Sequence, residues 1–400
     1  MTSTRAAAAR ARRELSGAVA DLGVLVPIAV ALIVTNGLSA TAVLLPAGAL
    51  YIAVGFVYRL PVAVQPLKAL GAIAIAKGLG ADEIAAAALI MGVVFVALGA
   101  TGLIDRAGRA FPRALIRGVQ LTVGLLFLKV AWGLVADPPL PFTEHTFSPE
   151  LAIPLGVAVT ALALVLRHRP IALALVALGV AVMVVDANGV SSLGPSALAF
   201  PSLSAATFAA AFTALVIPQL PLTFANSCLA PADAARTYFG ERARPVTPGR
   251  LAMTLGSANL FSGAIAGMPV CHGAGGLTAH YAFGARTGRA PLAIGTGLVV
   301  VALAAGSGLA ALLTAFPLPI LAGLLATAGL LHVGLLRDLR GTKEWFVAGV
   351  VGLVGFALNL AVGLGIGLIL WWTPILVGRV RSSSWSSKSF LRSTKQSAGP

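Results

Sequence analysis

A few polar side chains stand where the surrounding sequence is apolar. Asp21, Gln65, Lys68, Gln219, Asn226 and His272 lie within stretches of Leu, Ala, Val and Gly. Two of these stretches also break the helical pattern. In Pro61-Val62-Ala63-Val64-Gln65-Pro66-Leu67-Lys68, a helix starts readily after Pro66 and badly before it. Met268-Pro269-Val270-Cys271-His272-Gly273-Ala274-Gly275-Gly276 has a glycine density that suits extended backbone and close ligand approach. Each stretch predicts an extended segment followed by a half-helix. A helix N-terminus presents unpaired N–H groups and about half a positive charge, so two such ends facing each other make an anion site. Lys68 would add a full charge there. Asp21 is the nearby carboxylate, either a proton carrier or an ion-pair partner of Lys68. Cys271 beside His272 invites a nucleophile and base. Adjacent residues do not face each other usefully, however, and no third group orients them, which argues against an enzyme.

The elements that position these groups are membrane helices. The 400 residues are 58% hydrophobic and 10% charged, against about 25% charged in soluble domains. Apolar runs near 20 residues recur, each long enough to span a hydrocarbon core of about 30 Å. They are continuous rather than alternating, so helices are expected rather than a barrel. About fourteen segments follow, over 15–36, 40–58, 64–79, 83–104, 112–135, 151–166, 170–187, 205–229, 250–267, 272–284, 290–313, 317–336, 344–361 and 363–378. The net charge of +15 does not indicate nucleic acid. Arginines cluster after alternate segments, at Arg59, Arg106–Arg113, Arg167–Arg169, Arg236–Arg250, Arg286–Arg289 and Arg337–Arg340, and at Arg5–Arg13 before the first. That is the positive-inside pattern, with both termini cytoplasmic. Arg117, near a cytoplasmic end, is expected to snorkel. The Ser-rich basic stretch 381–400 is expected to be a disordered tail.

The chain also repeats itself. Phe111-Pro112, Gly118 and Gly124 recur as Phe316-Pro317, Gly323 and Gly329, an offset of 205 residues. Val62–Gln65 similarly faces Met268–Cys271, and Asp21-Leu22-Gly23 faces Gln219-Leu220-Pro221. Seven segments is an odd number, so the second half would insert upside down. This predicts a cytoplasmic N-terminus over 1–13, one repeat over 14–190 and an inverted one over 203–380, with the site at their interface.

Several stretches resemble the molybdate transporter family related to the SulP sulfate permeases. They are Glu14 to Gly23, Val64-Gln65-Pro66-Leu67-Lys68-Ala69, Pro218 to Thr223 with Asn226-Ser227, and Pro269 to Leu277 with Phe283 to Gly288. The family more often has Met-Pro where Val62-Ala63 stands here. The resemblance implies an all-α fold like the SulP and uracil permeases. Segments one to four and eight to eleven would form a core domain and the rest a gate domain, with no C-terminal STAS domain. It further implies uptake of molybdate or a related oxyanion in the cell membrane, with no cofactor and a homodimer. The sequence leaves protons and sodium both open as the coupling ion, protons being the candidate that a protonatable Asp21 would serve. The oxygens would meet backbone N–H groups near Gln65, Pro66, Leu67 and Lys68 and near Cys271, His272, Gly273, Ala274 and Gly275. Gln65, Gln219, Asn226 and His272 would supply neutral contacts, and Asp21 and Glu14 are the coupling candidates. Sulfate is the alternative cargo. A nucleobase fits less well, because the eighth and tenth segments hold no carboxylate before Asp233.

Overall fold

In a solvent that offers the backbone no partners, an apolar chain must satisfy its own N–H and C=O groups. The computed structural model, which describes residues 2–186 and 192–373, is accordingly helical almost throughout. Residues 381–400, the expected tail, lie outside the described residues, as does the end of the last expected segment. The first half contains α1 (Thr2–Val19), α2 (Leu22–Val34), α3 (Ala40–Val57), β1 (Gln65–Pro66), α4 (Lys68–Lys77), α5 (Ala81–Ala100), α6 (Leu103–Ala110), α7 (Arg113–Ala136), α8 (Pro149–Val165) and α9 (Ile171–Asp186). The second contains α10 (Ala205–Ala211), α11 (Ile217–Leu222), α12 (Ala230–Phe239), α13 (Pro248–Ala264), β2 (Val270–Cys271), α14 (Ala274–Ala282), α15 (Arg289–Ala305), α16 (Leu309–Thr314), α17 (Leu318–Val333) and α18 (Thr342–Ala357).

Among the described residues, six helices are long and apolar enough to cross a membrane: Ala40–Val57, Ala81–Ala100, Arg113–Ala136, Ala205–Ala243, Arg289–Gly308 and Leu318–Asp338. A bent pair near the start makes a seventh, and Pro149–Val165, Ile171–Val185 and Leu360–Thr373 are shorter apolar helices. The helix from Ala205 relaxes into π turns at Phe212–Val216 and Thr223–Leu229, around Pro218 and Pro221. Pi turns of this kind frequently mark functional sites.

Two sequence expectations change. The span predicted over 15–36 is interrupted at Ala20-Asp21, where α1 ends and α2 begins. The turn closes through Ala20 N to Gly17 O (3.2 Å) and Val24 N to Asp21 O (3.1 Å). The interruption frees the Asp21 side chain from the helix face. Arg117 does not snorkel: it is 1% exposed and forms ion pairs with Asp233, just beyond the second π turn, and Asp338, in the 3-10 turn after α17. Gln120 Oε1 accepts from the same guanidinium at 2.8 Å. With partners from elements so distant in sequence, the charge is neutralised in place and need not reach the interface.

Helices pair in a regular way. α3 packs on α15 and α5 on α13; α7 packs on α17; α8 packs on α17 and α18 on α7. Small residues allow the close approach. A Cβ on Gly124 would lie 3.0 Å from the Gly329 carbonyl, and one on Gly329 would lie 2.9 Å from the Gly124 carbonyl. Gly118 abuts Val351 of α18, while Gly323 abuts Val159 of α8.

Candidate functional site

β1 and β2 form a two-residue antiparallel ladder in the interior, pairing Gln65 with Cys271 and Pro66 with Val270. The helices α4 and α14 follow from either side of this crossing. At 1.5 Å per residue, their 10 and 9 residues reach about half a hydrocarbon core. The chain bends sharply to reach each break. Among the described residues, the only non-glycine positions with positive φ are Arg59 (53°), ahead of β1, and Ala266 (48°), ahead of β2. Conformations of this kind cost on the order of 1–3 kcal/mol and persist only where the surroundings over-determine them.

The surroundings here are specific. Asn259 on α13 brackets Val270, its Nδ2 donating to the Val270 carbonyl and its Oδ1 accepting the Val270 N–H, both at 2.8 Å. His272 ties one break to the other. Its Nδ1 lies 3.1 Å from the Ala63 carbonyl and its Nε2 lies 2.8 Å from the Thr254 hydroxyl. Both ring nitrogens are therefore occupied by protein. Leu67 N donates to Pro269 O (3.0 Å), and Cys271 Sγ lies 3.6 Å from Pro66 O.

The polar side chains converge on this crossing. Gln65 is fully buried; its Nε2 donates to Asp21 Oδ1, and its Oε1 accepts from Lys68 Nζ at 2.6 Å. The direct pairing of Asp21 with Lys68 is thus replaced by a chain in which one neutral amide is oriented by both charges. The Tyr51 hydroxyl lies against the Asp21 carboxylate and the Val64 backbone. Asp21 Oδ2 makes no hydrogen bond of good geometry. Gln219 reaches α4 from the broken helix: its Oε1 accepts the Leu70 N–H (2.9 Å), and its Nε2 donates to Thr223 (2.9 Å). Asn226 is buried nearby in sequence, on the second π turn, and its Oδ1 has no hydrogen-bond partner among the described residues.

The glycines of α14 accommodate this cluster. A Cβ on Gly273 would run into the Gln65 amide, and one on Gly276 would meet the Asp21 carboxylate, Ala63 and Gln65. A Cβ on Gly275 would meet the Phe127 ring of α7 at 2.5 Å. The same ring lies 5.6 Å from Lys68 Nζ, within cation–π range. Backbone donors remain beside it. On α4, the N–H groups of Lys68 and Ala69 have no hydrogen-bond partner among the described residues; on α14 the same holds for Ala274, Gly275 and Gly276. The open donors lie slightly further along each segment than the sequence predicts. Lys68 and the two helix ends bring positive charge to this crossing, opposed by the Asp21 carboxylate on the other side of the Gln65 amide.

Glu14, the other candidate carboxylate, is elsewhere. It is 6% exposed and accepts the backbone N–H groups of Arg286 (3.2 Å) and Thr287 (3.4 Å) in the turn after α14. Tyr51, Asn259, Thr254 and Phe127 were not singled out from sequence. Asn259 was detectable as a lone amide in an apolar helix; the others are ordinary membrane-helix residues by type.

The family model described as "Molybdate transporter of MFS superfamily" matches residues 13–127 and 211–331. Molybdate transporter 2 of Arabidopsis thaliana is 29% identical over 429 aligned positions, covering 96% of this chain and 91% of its own. Molybdate transporter 1 of Chlamydomonas reinhardtii is 28% identical, covering 89% and 90%. Among solved structures, the transmembrane domain of the cyanobacterium bicarbonate transporter BicA superposes with a TM-score of 0.54 at 18% identity, covering 90% of this chain and 97% of that one. The murine Solute Carrier 26 family member A9 anion transporter superposes at 0.60 and 15% identity, covering 92% and 68%. At these identities the superpositions establish a shared fold.

Proposed function

The chain belongs to the molybdate transporter family, a family of multi-pass membrane transporters and not of enzymes, and from that premise we propose that it takes up a tetrahedral oxyanion, molybdate first. The anion sits between the N-termini of α4 and α14. Backbone N–H groups of Lys68, Ala69, Ala274, Gly275 and Gly276 meet its oxygens, and the Lys68 ammonium balances part of its charge. The observation that supports this most directly is the β1–β2 crossing, which brings two helix starts with open donors together beside one lysine. Gln65 holds Lys68 in place, while Gln219 and Asn226 shape the side facing the broken helix. Cys271 and His272 build the crossing itself.

Movement is by alternating access between a core domain and a gate domain, each drawn from two inverted seven-segment repeats. The helix pairings support the repeat. Advancing by seven segments turns the α3–α15 contact into α13–α5 and the α7–α18 contact into α17–α8, and it maps α7–α17 onto itself. Both termini face the cytoplasm, the membrane is the cell membrane, and the chain works as a homodimer. Protons are the coupling ion, and Asp21 carries them; Glu14 ties α1 to the turn after α14.

The test is labelled molybdate uptake into proteoliposomes. Lys68→Ala and Gln65→Ala should each cut uptake, Lys68→Ala by about 10- to 100-fold, the scale of a lost hydrogen bond to a charged group. Unchanged uptake in both variants would remove this site from consideration.

A further inference from the structure

A second basic concavity shares no lining residue with the cluster at the β1–β2 crossing. It has a volume of about 630 Å³ and is lined by Arg10 and Arg13 of α1, Arg167 and His168 of the turn between α8 and α9, and Arg286 of the turn after α14. Glu14 is its one acidic lining residue, and that carboxylate is committed to the backbone N–H groups of Arg286 and Thr287. No ion pair reaches Arg10, Arg13 or Arg167 among the described residues. Arg286 stacks on Tyr281, its guanidinium 3.8 Å from the ring centre. Burial pushes the Arg286 guanidinium below its usual value, with Tyr281 and Glu14 pulling the other way and the Arg13 charge adding to the downward push.

Positive-inside topology accounts for arginines on this face, but not for their convergence. The four guanidiniums come from three separate segments and line one cavity. Guanidiniums take phosphate oxygens in bidentate fashion, and four of them held together with a single carboxylate gain most from a multiply charged ligand. Basic pockets at the cytoplasmic ends of membrane helices suit phosphorylated head groups for the same reason. We propose that this cavity binds a phosphate-bearing polyanion, a pyrophosphate or a phosphate monoester, at a site distinct from the transported anion. A ligand held there would bridge α1, the α8–α9 turn and the turn after α14.

The soluble and lipid sources of this chemistry can be separated with the full chain. Labelled pyrophosphate is bound to the protein in detergent, and thermal unfolding is followed in nanodiscs of phosphatidylcholine with and without phosphatidic acid. A first variant carries Arg10→Gln, Arg13→Gln and Arg167→Gln. A second, losing equal charge from an exposed region elsewhere, carries Arg337→Gln, Arg340→Gln and Lys343→Gln. Wild type should bind at least one of the two ligands, pyrophosphate alone indicating a soluble source and phosphatidic acid alone a lipid one. The first variant should weaken that binding at least about tenfold, as expected when several charge-assisted contacts go, and the second less than about twofold. The proposal is overturned if wild type binds neither, if the first variant binds as well as wild type, or if the second variant loses as much as the first. Molybdate enters none of these readouts, so a failure of the transport reading leaves the test intact.

Discussion

The two short helices that meet at the crossing are built from opposite materials. α4 begins with a charge and is surrounded by polar side chains: Lys68 is held by Gln65, Gln65 by Asp21, and the Leu70 N–H by Gln219. α14 is entered through Gly273, begins with Ala274-Gly275-Gly276 and offers almost nothing but backbone. Its extended lead is braced by Asn259 and by His272, whose hydrogen bonds all point into the protein. One arm supplies field and the other supplies room. On the proposed reading, a site that must release its ligand gains from this division: a single lysine attracts the dianion and neutral N–H groups complete its shell without trapping it.

The division is open to attack from both sides. Lys68→Ala, on the charged side, has the largest expected effect and should appear mainly as a raised KM for molybdate. Gly273→Ala, on the neutral side, adds no charge change but places a methyl group against the Gln65 amide. Overpacking of this kind costs about 1–3 kcal/mol, so uptake should fall roughly tenfold with the protein still folded. Gly297→Ala, where an added Cβ meets nothing within 4 Å, is the matched control and should be silent. Equal losses in the two glycine variants would refute the packing argument.

Asp21→Asn keeps the shape of the Gln65 contact and removes the proton. Wild-type uptake should accelerate under an inward proton gradient, and the variant should not respond to it. A preserved response would move the coupling to another group. Asn259→Ala removes two backbone contacts and should lower stability by about 2 kcal/mol at about 1 kcal/mol each, read as a lower unfolding temperature. Its KM should change little, because the brace contacts the Val270 backbone and none of the proposed anion donors. The smallest effect distinguishes cargoes: excess sulfate should compete only weakly against labelled molybdate if the crossing is fitted to the larger anion. Full competition would mean that charge and shape alone decide.

Much of this arrangement was legible in the sequence because its signals are local. Pro66 and Pro269 with the run Gly273–Gly276 mark the two breaks, and Lys68 and Asp21 stand out as charges in apolar surroundings. The glycine twins Gly118/Gly323 and Gly124/Gly329 were visible as spacing, and their partners are related in the same way. Contacts between distant segments were not legible. The Arg117 pairs depend on Asp233 and Asp338, more than 100 residues away, and no local pattern announces them. His272 looked available from its position at a break, yet both nitrogens are taken by Ala63 and Thr254. The interruption at Asp21 gave no proline or glycine signal strong enough to separate it from a continuous span, since Gly17 and Gly23 are ordinary in membrane helices.

The central claim is that one oxyanion lies between Lys68 and the first turn of α14. Molybdenum scatters anomalously at its absorption edge, so a crystal of the full chain grown with molybdate locates the anion directly. The account predicts an anomalous peak within hydrogen-bonding reach of Lys68 Nζ and of the N–H groups of Ala274 to Gly276, and its loss in Lys68→Ala. A peak elsewhere in a protein competent for uptake, with none at the crossing, would contradict it.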